Sequence, residues 1–207
     1  MTQHVDPPRR PEESRRDFSP LFDEALVYAH QLHANQTRKG TTIPYVGHLL
    51  AVTAIVIENG GTEDEVIAAL LHDAVEDAGG AETREEIRRR FGEKVAVIVD
   101  GLTDTDQMPK PPWRKRKEDY IAHLSEASSS VLLVSLADKI HNASSILRDL
   151  RNEGDSVWSR FTGGREGSLW YYRALVEAFR ARGQFTTLVD ELDGVVNEIE
   201  QLASTAD

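Results

Sequence analysis

Thr62-Glu63-Asp64-Glu65-Val66-Ile67-Ala68-Ala69-Leu70-Leu71-His72-Asp73-Ala74-Val75-Glu76-Asp77 is the stretch that decides the fold. Thr62 with Glu65 three positions on is a capping-box pattern, in which each side chain satisfies a free backbone N–H at a helix start. Val66 to Leu71 is then almost wholly apolar, as in a helix buried on all sides. At its far end the run delivers His72, Asp73, Glu76 and Asp77, and helical geometry places His72 beside Glu76 and Asp73 beside Asp77, one turn apart. Buried carboxylates without partners are costly or take up a proton. A divalent cation resolves that cost with neutral imidazole and ionised carboxylate, and the helix C-terminus adds partial negative charge. A His-Asp dipeptide alone is a weak metal signal and better suits a polar core in which the two residues bond each other.

Outward from this helix the pattern stays helical. Upstream, Leu21, Phe22, Ala25, Leu26, Ala29 and Leu32 recur at the steps of a buried stripe, opened by Ser19-Pro20. Gln36 to Gly47 reads as a loop, and a helix from about His48 to Glu58 stops at Asn59-Gly60-Gly61. Downstream, Gly79-Gly80 closes the central helix, Thr83 with Glu86 repeats the capping-box signature, and Phe91-Gly92 ends a short charged helix. Val95 to Leu102 begins another helix, and the prolines of 104–112 require a loop. Further helices are expected over Trp113–Ala127, Ser130 to about Arg151, Arg165–Arg182 and Gln184–Ala203. No alternating β-branched run calls for a strand, and no repeat recurs at a fixed period. The expectation is an all-α chain of about eight to ten helices in one domain over residues 21–207. Residues 1–20, with Pro7, Pro8, Pro11 and Pro20 among scattered charges, read as a flexible lead.

Composition narrows the chemistry. In 207 residues, 24 basic against 35 acidic side chains give a net charge of −11, which argues against a nucleic-acid partner but not against a small anionic ligand. Six of the acidic residues, and no basic one, lie between Gln184 and Asp207. The absence of cysteine excludes disulfides, thiolate metal sites and cysteine nucleophiles, so any metal must be held by His and carboxylates. No apolar stretch approaches the ~18 residues of a spanning helix and the N-terminus lacks signal-peptide character, so no membrane partner and a cytoplasmic location are expected.

Two more segments carry ionisable groups in unusual settings. Val131 to Ala137 is almost wholly apolar and then delivers Asp138-Lys139-Ile140-His141-Asn142, a second carboxylate at the end of a buried run. Arg38-Lys39-Gly40 leads through Pro44-Tyr45-Val46-Gly47 to His48, a basic pair on a loop and then a histidine opening a helix. Trp170-Tyr171-Tyr172, after the Gly163-Gly164-Arg165 turn, favours core packing over a site. His30, His33, His123 and His141 stay unassigned. The charged runs Arg84–Arg90 and Arg114–Glu118 read as solvated faces, with subunit contacts, and so a homo-oligomer, as the alternative.

These segments together resemble the metal-dependent HD phosphohydrolases, and within them the hydrolase domain of the RelA/SpoT alarmone enzymes and the stand-alone small alarmone hydrolases. The matching pieces are Arg38-Lys39-Gly40 with Pro44-Tyr45-x-x-His48, Leu70 to Asp77, Phe91-Gly92 with Val99 and Leu102-Thr103, and Leu136 to Lys139 with Asn142. Leu49 departs from the pattern, because these relatives usually carry proline after the histidine. The resemblance implies that His48, His72, Asp73 and Asp138 hold one metal ion, typically Mn²⁺, although Zn²⁺ or Fe²⁺ suits the same ligand types. It makes Glu76 and Asp77 the pair that positions or activates the attacking water, Glu76 being the preferred general base, with Asn142 orienting a phosphate or ribose oxygen. Arg38, Lys39 and Lys139 would meet substrate phosphates, Tyr45 would line the nucleotide pocket, and Tyr171 or Tyr172 and Arg165 would add contacts.

The implied reaction is hydrolysis of guanosine tetra- or pentaphosphate to GDP or GTP plus pyrophosphate. Other nucleotides, such as adenosine 3′-pyrophosphates or the 2′-phosphate of NADPH, and a non-catalytic alarmone-binding regulator, are the competing expectations. A cyclic-dinucleotide phosphodiesterase fits less well, because Ala74-Val75-Glu76 replaces the glycine-lysine pair that follows His-Asp in that group.

Overall fold

Helix α3, Glu63–Leu71, runs through the middle of the molecule, and its apolar run explains why: Val66 to Leu71 are all buried. The computed structural model describes residues 18–105 and 109–204, and all element statements refer to these. In chain order the α-helices are α1 (Pro20–Leu32), α2 (Val46–Glu58), α3, α4 (Ala74–Asp77), α5 (Ala81–Phe91), α6 (Glu93–Leu102), α7 (Trp113–Leu124), α8 (Ser129–Glu153), α9 (Gly164–Arg182) and α10 (Thr186–Ser204). A 3₁₀ turn, Gly154–Arg160, joins α8 to α9. No strand forms among the described residues, and a single antiparallel bridge pairs Thr37 with Pro44. The fold is a single all-α domain. No helix among the described residues is long and apolar enough to cross a membrane.

α3 packs against α1, α2, α6 and α8, and the 25-residue α8 forms the second spine, flanked by α2, α6 and α10. Val131 to Ala137 are buried, and Asp138 follows them directly into the interior. The expected flexible lead lies outside the described residues as far as residue 17; Phe18 stacks on Phe22 with ring centroids 4.7 Å apart, and the Ser19 hydroxyl accepts from the Leu21 amide. The Thr62–Glu65 capping box forms as expected, the Glu65 carboxylate accepting from the Thr62 amide at 2.6 Å.

Two local expectations are corrected. The central helix does not continue to Asp77 but breaks at His72-Asp73, after which α4 adds a single turn. The His72 ring bonds the Ala69 carbonyl, the acceptor that a continuing helix would offer to the Asp73 amide. Thr83 is not a helix cap: α5 starts earlier, from Gly80 at φ +59, and the Thr83 hydroxyl turns back to the Ala78 carbonyl at 2.5 Å. A side chain at Gly79 would meet that hydroxyl at 2.6 Å, so the double glycine permits the tight turn. Leu49, the departure from the proline pattern, keeps an amide that donates to the Tyr45 carbonyl at 3.4 Å, and α2 therefore begins before His48, at Val46.

The acidic C-terminal helix is not a bare face. Arg173 pairs with Asp193 and Glu200 at 2.6 Å each, Arg180 with Asp193 at 2.9 Å, and Arg151 with Glu198, which ties α10 to α8 and α9.

Candidate metal centre and active site

Three elements converge on one point. α2 brings His48, the break after α3 brings His72 and Asp73, and α8 brings Asp138. The imidazoles and the Asp138 carboxylate are buried, and one ligand atom from each of His48, His72 and Asp138 lies within 4.8 Å of the others. His72 Nε2 is 2.9 Å from Asp73 Oδ2 and 3.6 Å from Asp138 Oδ1; His48 Nε2 is 3.2 Å from Asp138 Oδ1 and 3.6 Å from Asp73 Oδ2. The two Nε2 atoms are 3.2 Å apart. Donor atoms of His48, His72 and Asp138 thus lie close enough to share one ion, and Asp73 Oδ2 stands beside both imidazoles.

The surrounding bonds fit that donor set to a cation. His72 Nδ1 is 2.8 Å from the Ala69 carbonyl, which only accepts, so Nδ1 carries a hydrogen and Nε2 is the atom turned to the cluster. His48 Nδ1 is 2.7 Å from His141 Nδ1. A cation on Nε2 of His48 would leave the ring hydrogen on Nδ1, with His141 as its acceptor. Asp138 Oδ2 accepts from Lys139 at 2.6 Å, and Oδ1 from Asn142 at 2.5 Å. The Tyr45 hydroxyl donates to Asp73 Oδ2 at 2.5 Å.

Electrostatics agree with this arrangement. Burial opposes charge on Asp73 and Asp138, but His72 beside the first and Lys139 beside the second hold both carboxyls well below their usual range. Burial likewise opposes an imidazolium at His72, and Asp73 and Asp138 outweigh it, keeping the ring's affinity for a proton high. A dense negative pair that draws a proton onto a buried imidazole is also a field for a divalent cation, which displaces that proton on binding. His141 is pushed down to about 4 by burial and by neighbouring His48 and Arg38, which suits an acceptor.

The cluster opens on a cavity of about 840 Å³. Arg38, Lys39, Tyr45, Glu76, Lys139, Asn142, Tyr171 and Tyr172 line it with the ligand residues. Two expected residues stand elsewhere. Asp77 is not on the cavity wall and accepts from Gln36 Nε2 at 2.8 Å; the Arg165 guanidinium donates to the Ala203 carbonyl on α10. Asn142 bridges the two halves of the site, accepting from Arg38 at 2.5 Å while donating to Asp138. Tyr171 is both core and site: it is buried, and its hydroxyl has no hydrogen-bond partner.

Several participants are invisible to residue-by-residue reading. His141 stands three positions after Asp138, but its partner His48 comes from another helix. Arg116 and Lys117, within the run expected to be a solvated face, turn inward to share Asp104 and line the cavity, while Arg114 and Lys115 stay outside. Lys110 bonds Glu76 at 2.9 Å. The partial signal was composition: a basic run directly after a proline loop.

The HD domain family matches residues 25–169, which contain every residue of the cluster. Among curated proteins, the guanosine-3′,5′-bis(diphosphate) 3′-pyrophosphohydrolase MESH1 of Xenopus tropicalis is 40% identical over 142 residues, covering 67% of this chain and 74% of that protein. A solved structure described as a metazoan ortholog of SpoT that hydrolyzes ppGpp superposes with a TM-score of 0.72 at 30% identity, covering 87% of this chain and 96% of the other. Listeria monocytogenes lmo0812 superposes at 0.64 with 30% identity, covering 76% of this chain and 99% of the other. The convergence of two histidines and two aspartates from α2, the α3–α4 break and α8, on a chain matched in these ways, leads to one conclusion: this protein belongs to the HD-domain family of metal-dependent phosphohydrolases.

Proposed function

We propose that the chain hydrolyses guanosine 3′,5′-bis(diphosphate), and its 5′-triphosphate counterpart, to GDP or GTP plus pyrophosphate, with Mn²⁺ held by His48, His72, Asp73 and Asp138. The observation that carries the reading is the junction of that cluster with a cavity lined by Arg38, Lys39, Arg116, Lys117 and Lys139. A site with this much positive charge beside a dense pair of carboxylates suits a substrate with several phosphates and a reaction that uses a cation. The relatives named for guanosine bis(diphosphate) hydrolysis give the nucleotide.

A bound divalent cation supplies Lewis acidity and lowers the pKa of water. The protein side chains do the rest. Glu76 lies on the cavity wall and takes the proton of the attacking water. Water adds to the phosphorus linked to the 3′ oxygen, the bond from that phosphorus to the 3′ oxygen breaks, and the proton taken by Glu76 passes to the departing 3′ oxygen as pyrophosphate is released. Arg38 and Lys39 hold phosphate oxygens, Arg with a fork and Lys with a point charge. Lys139 neutralises the oxygen of Asp138 that faces away from the cluster, and its ammonium also borders the cavity. Tyr45 holds Asp73 and stands under Arg38, whose guanidinium carbon is 5.7 Å from its ring centroid.

A substrate panel tests the assignment. With Mn²⁺, the guanosine 3′-pyrophosphates should release pyrophosphate faster than adenosine 3′-pyrophosphates, and NADPH should release little phosphate. Preferential dephosphorylation of NADPH would move the chain to a different substrate, and binding without turnover would make it a regulator.

A further inference from the structure

His33, at the end of α1, lies outside the metal cluster and has no part in the chemistry above. It is 3% exposed, and its Nε2 is buried without a hydrogen-bond partner. Its Nδ1 is 2.6 Å from the side-chain oxygen of Gln36, and Gln36 Nε2 donates to Asp77 Oδ2 at 2.8 Å. Because Asp77 can only accept, the amide must turn its nitrogen to Asp77 and its oxygen to His33. His33 therefore carries its ring hydrogen on Nδ1, leaving a bare lone pair at the buried Nε2. One face of the same ring stacks on Tyr45, with centroids 5.1 Å apart and planes 24° from parallel.

The chain of bonds joins two parts of the site. Gln36 is the first residue of the loop that presents Arg38 and Lys39, and its carbonyl accepts from the Tyr45 amide at 3.0 Å, closing that loop. Asp77 is the last residue of α4, the single turn that carries Glu76. A four-residue helix has too few internal bonds to hold its own orientation, so an outside tether matters. Tyr45, on the other side of the ring, bonds Asp73 at the start of the same turn.

We infer that His33 is a positioning residue: through Gln36 and Asp77 on one side and Tyr45 on the other, it fixes the distance between the phosphate-binding loop and the turn bearing the general base. The inference rests on the proposed reaction, since the spacing has meaning only if a phosphate held by Arg38 and Lys39 must meet water activated by Glu76. Loss of the tether should therefore lower kcat and leave metal binding intact, because no member of the chain is one of the four metal ligands.

The test uses atom-matched variants of the full chain. His33→Asn places an amide nitrogen where Nδ1 stood and should keep the bond to Gln36; His33→Gln places it at the Nε2 position and His33→Leu removes it. kcat on guanosine 3′,5′-bis(diphosphate) should fall about tenfold or more in the Leu and Gln variants, with KM nearly unchanged, and recover most of that loss in the Asn variant. Gln36→Glu, which sets a carboxylate against Asp77, should reproduce the loss. Mn²⁺ binding by each variant should match the unaltered protein. Equal loss in all three His33 variants, or loss that follows melting temperature, would reduce His33 to a packing residue and overturn the inference. Imidazole ¹⁵N shifts of the unaltered protein give a reading independent of activity: a hydrogen on Nε2 of His33 contradicts the tether even if the chain turns over another nucleotide. Failure of the unaltered protein to release pyrophosphate would instead count against the proposed substrate.

Discussion

The cluster end of the cavity and its basic wall are built on opposite principles. At the cluster, His48, His72 and Asp138 are almost wholly buried, and each atom that is not needed inward has its own partner: Ala69 for His72, His141 for His48, Lys139 for Asp138. At the wall, several cations pair with carboxylates of the same chain, Arg116 and Lys117 with Asp104 and Arg160 with Asp149, and Lys110 reaches in to the wall residue Glu76. The first arrangement is preorganised, so a bound ion meets ligands already in place. The second has partners that a polyanionic substrate must compete with, and its pairs run from nearly buried, Arg116 and Lys117 on Asp104, to half-open, Lys110 on Glu76. Changes at the cluster should therefore act all-or-none, and changes at the wall by degrees.

Asp73→Asn should produce the largest effect, losing bound metal and lowering turnover by about a thousandfold or more, as read by metal analysis of the purified protein beside its kinetics. Glu76→Gln should retain the metal and still lose about a hundredfold in kcat, because only the proton acceptor is removed. Equal metal loss in both variants would erase the division between ligand and base. His141→Phe leaves the His48 Nδ1 hydrogen without its acceptor and should weaken Mn²⁺ binding about tenfold, measured by calorimetry. Lys39→Ala belongs to the wall and should raise KM roughly tenfold with kcat little changed. A fall in kcat alone would place Lys39 on the transition state and blur the contrast between the two regions.

What could be read from the sequence divides along the same line. α3 and α8 were legible because uninterrupted apolar runs end in charge, and few structures other than a buried site accommodate that at His72-Asp73 and Asp138. The Thr62–Glu65 cap was legible because its two partners are neighbours in the chain. The same pattern at Thr83 and Glu86 misled, since Gly79-Gly80 begins α5 sooner and Glu86 pairs with Arg89 instead. The break at His72 depends on a ring nitrogen reaching a carbonyl three residues back, which no periodicity encodes. His141 and His33 are lone histidines in the sequence, and their partners are supplied by packing: His48 is 93 positions from His141, and Asp77 is 41 from Gln36. Arg116 and Lys117 sit among like charges, and only the turn of α7 sorts them inward from Arg114 and Lys115.

The central claim is that four side chains from three segments hold one cation on which turnover depends. Protein stripped with a chelator and then titrated with Mn²⁺, with pyrophosphate release from guanosine 3′,5′-bis(diphosphate) followed at each addition, tests it most directly. Activity should be absent at the start, rise linearly and level off at one ion per chain. Turnover that persists in excess chelator, or that requires a second equivalent, would contradict it.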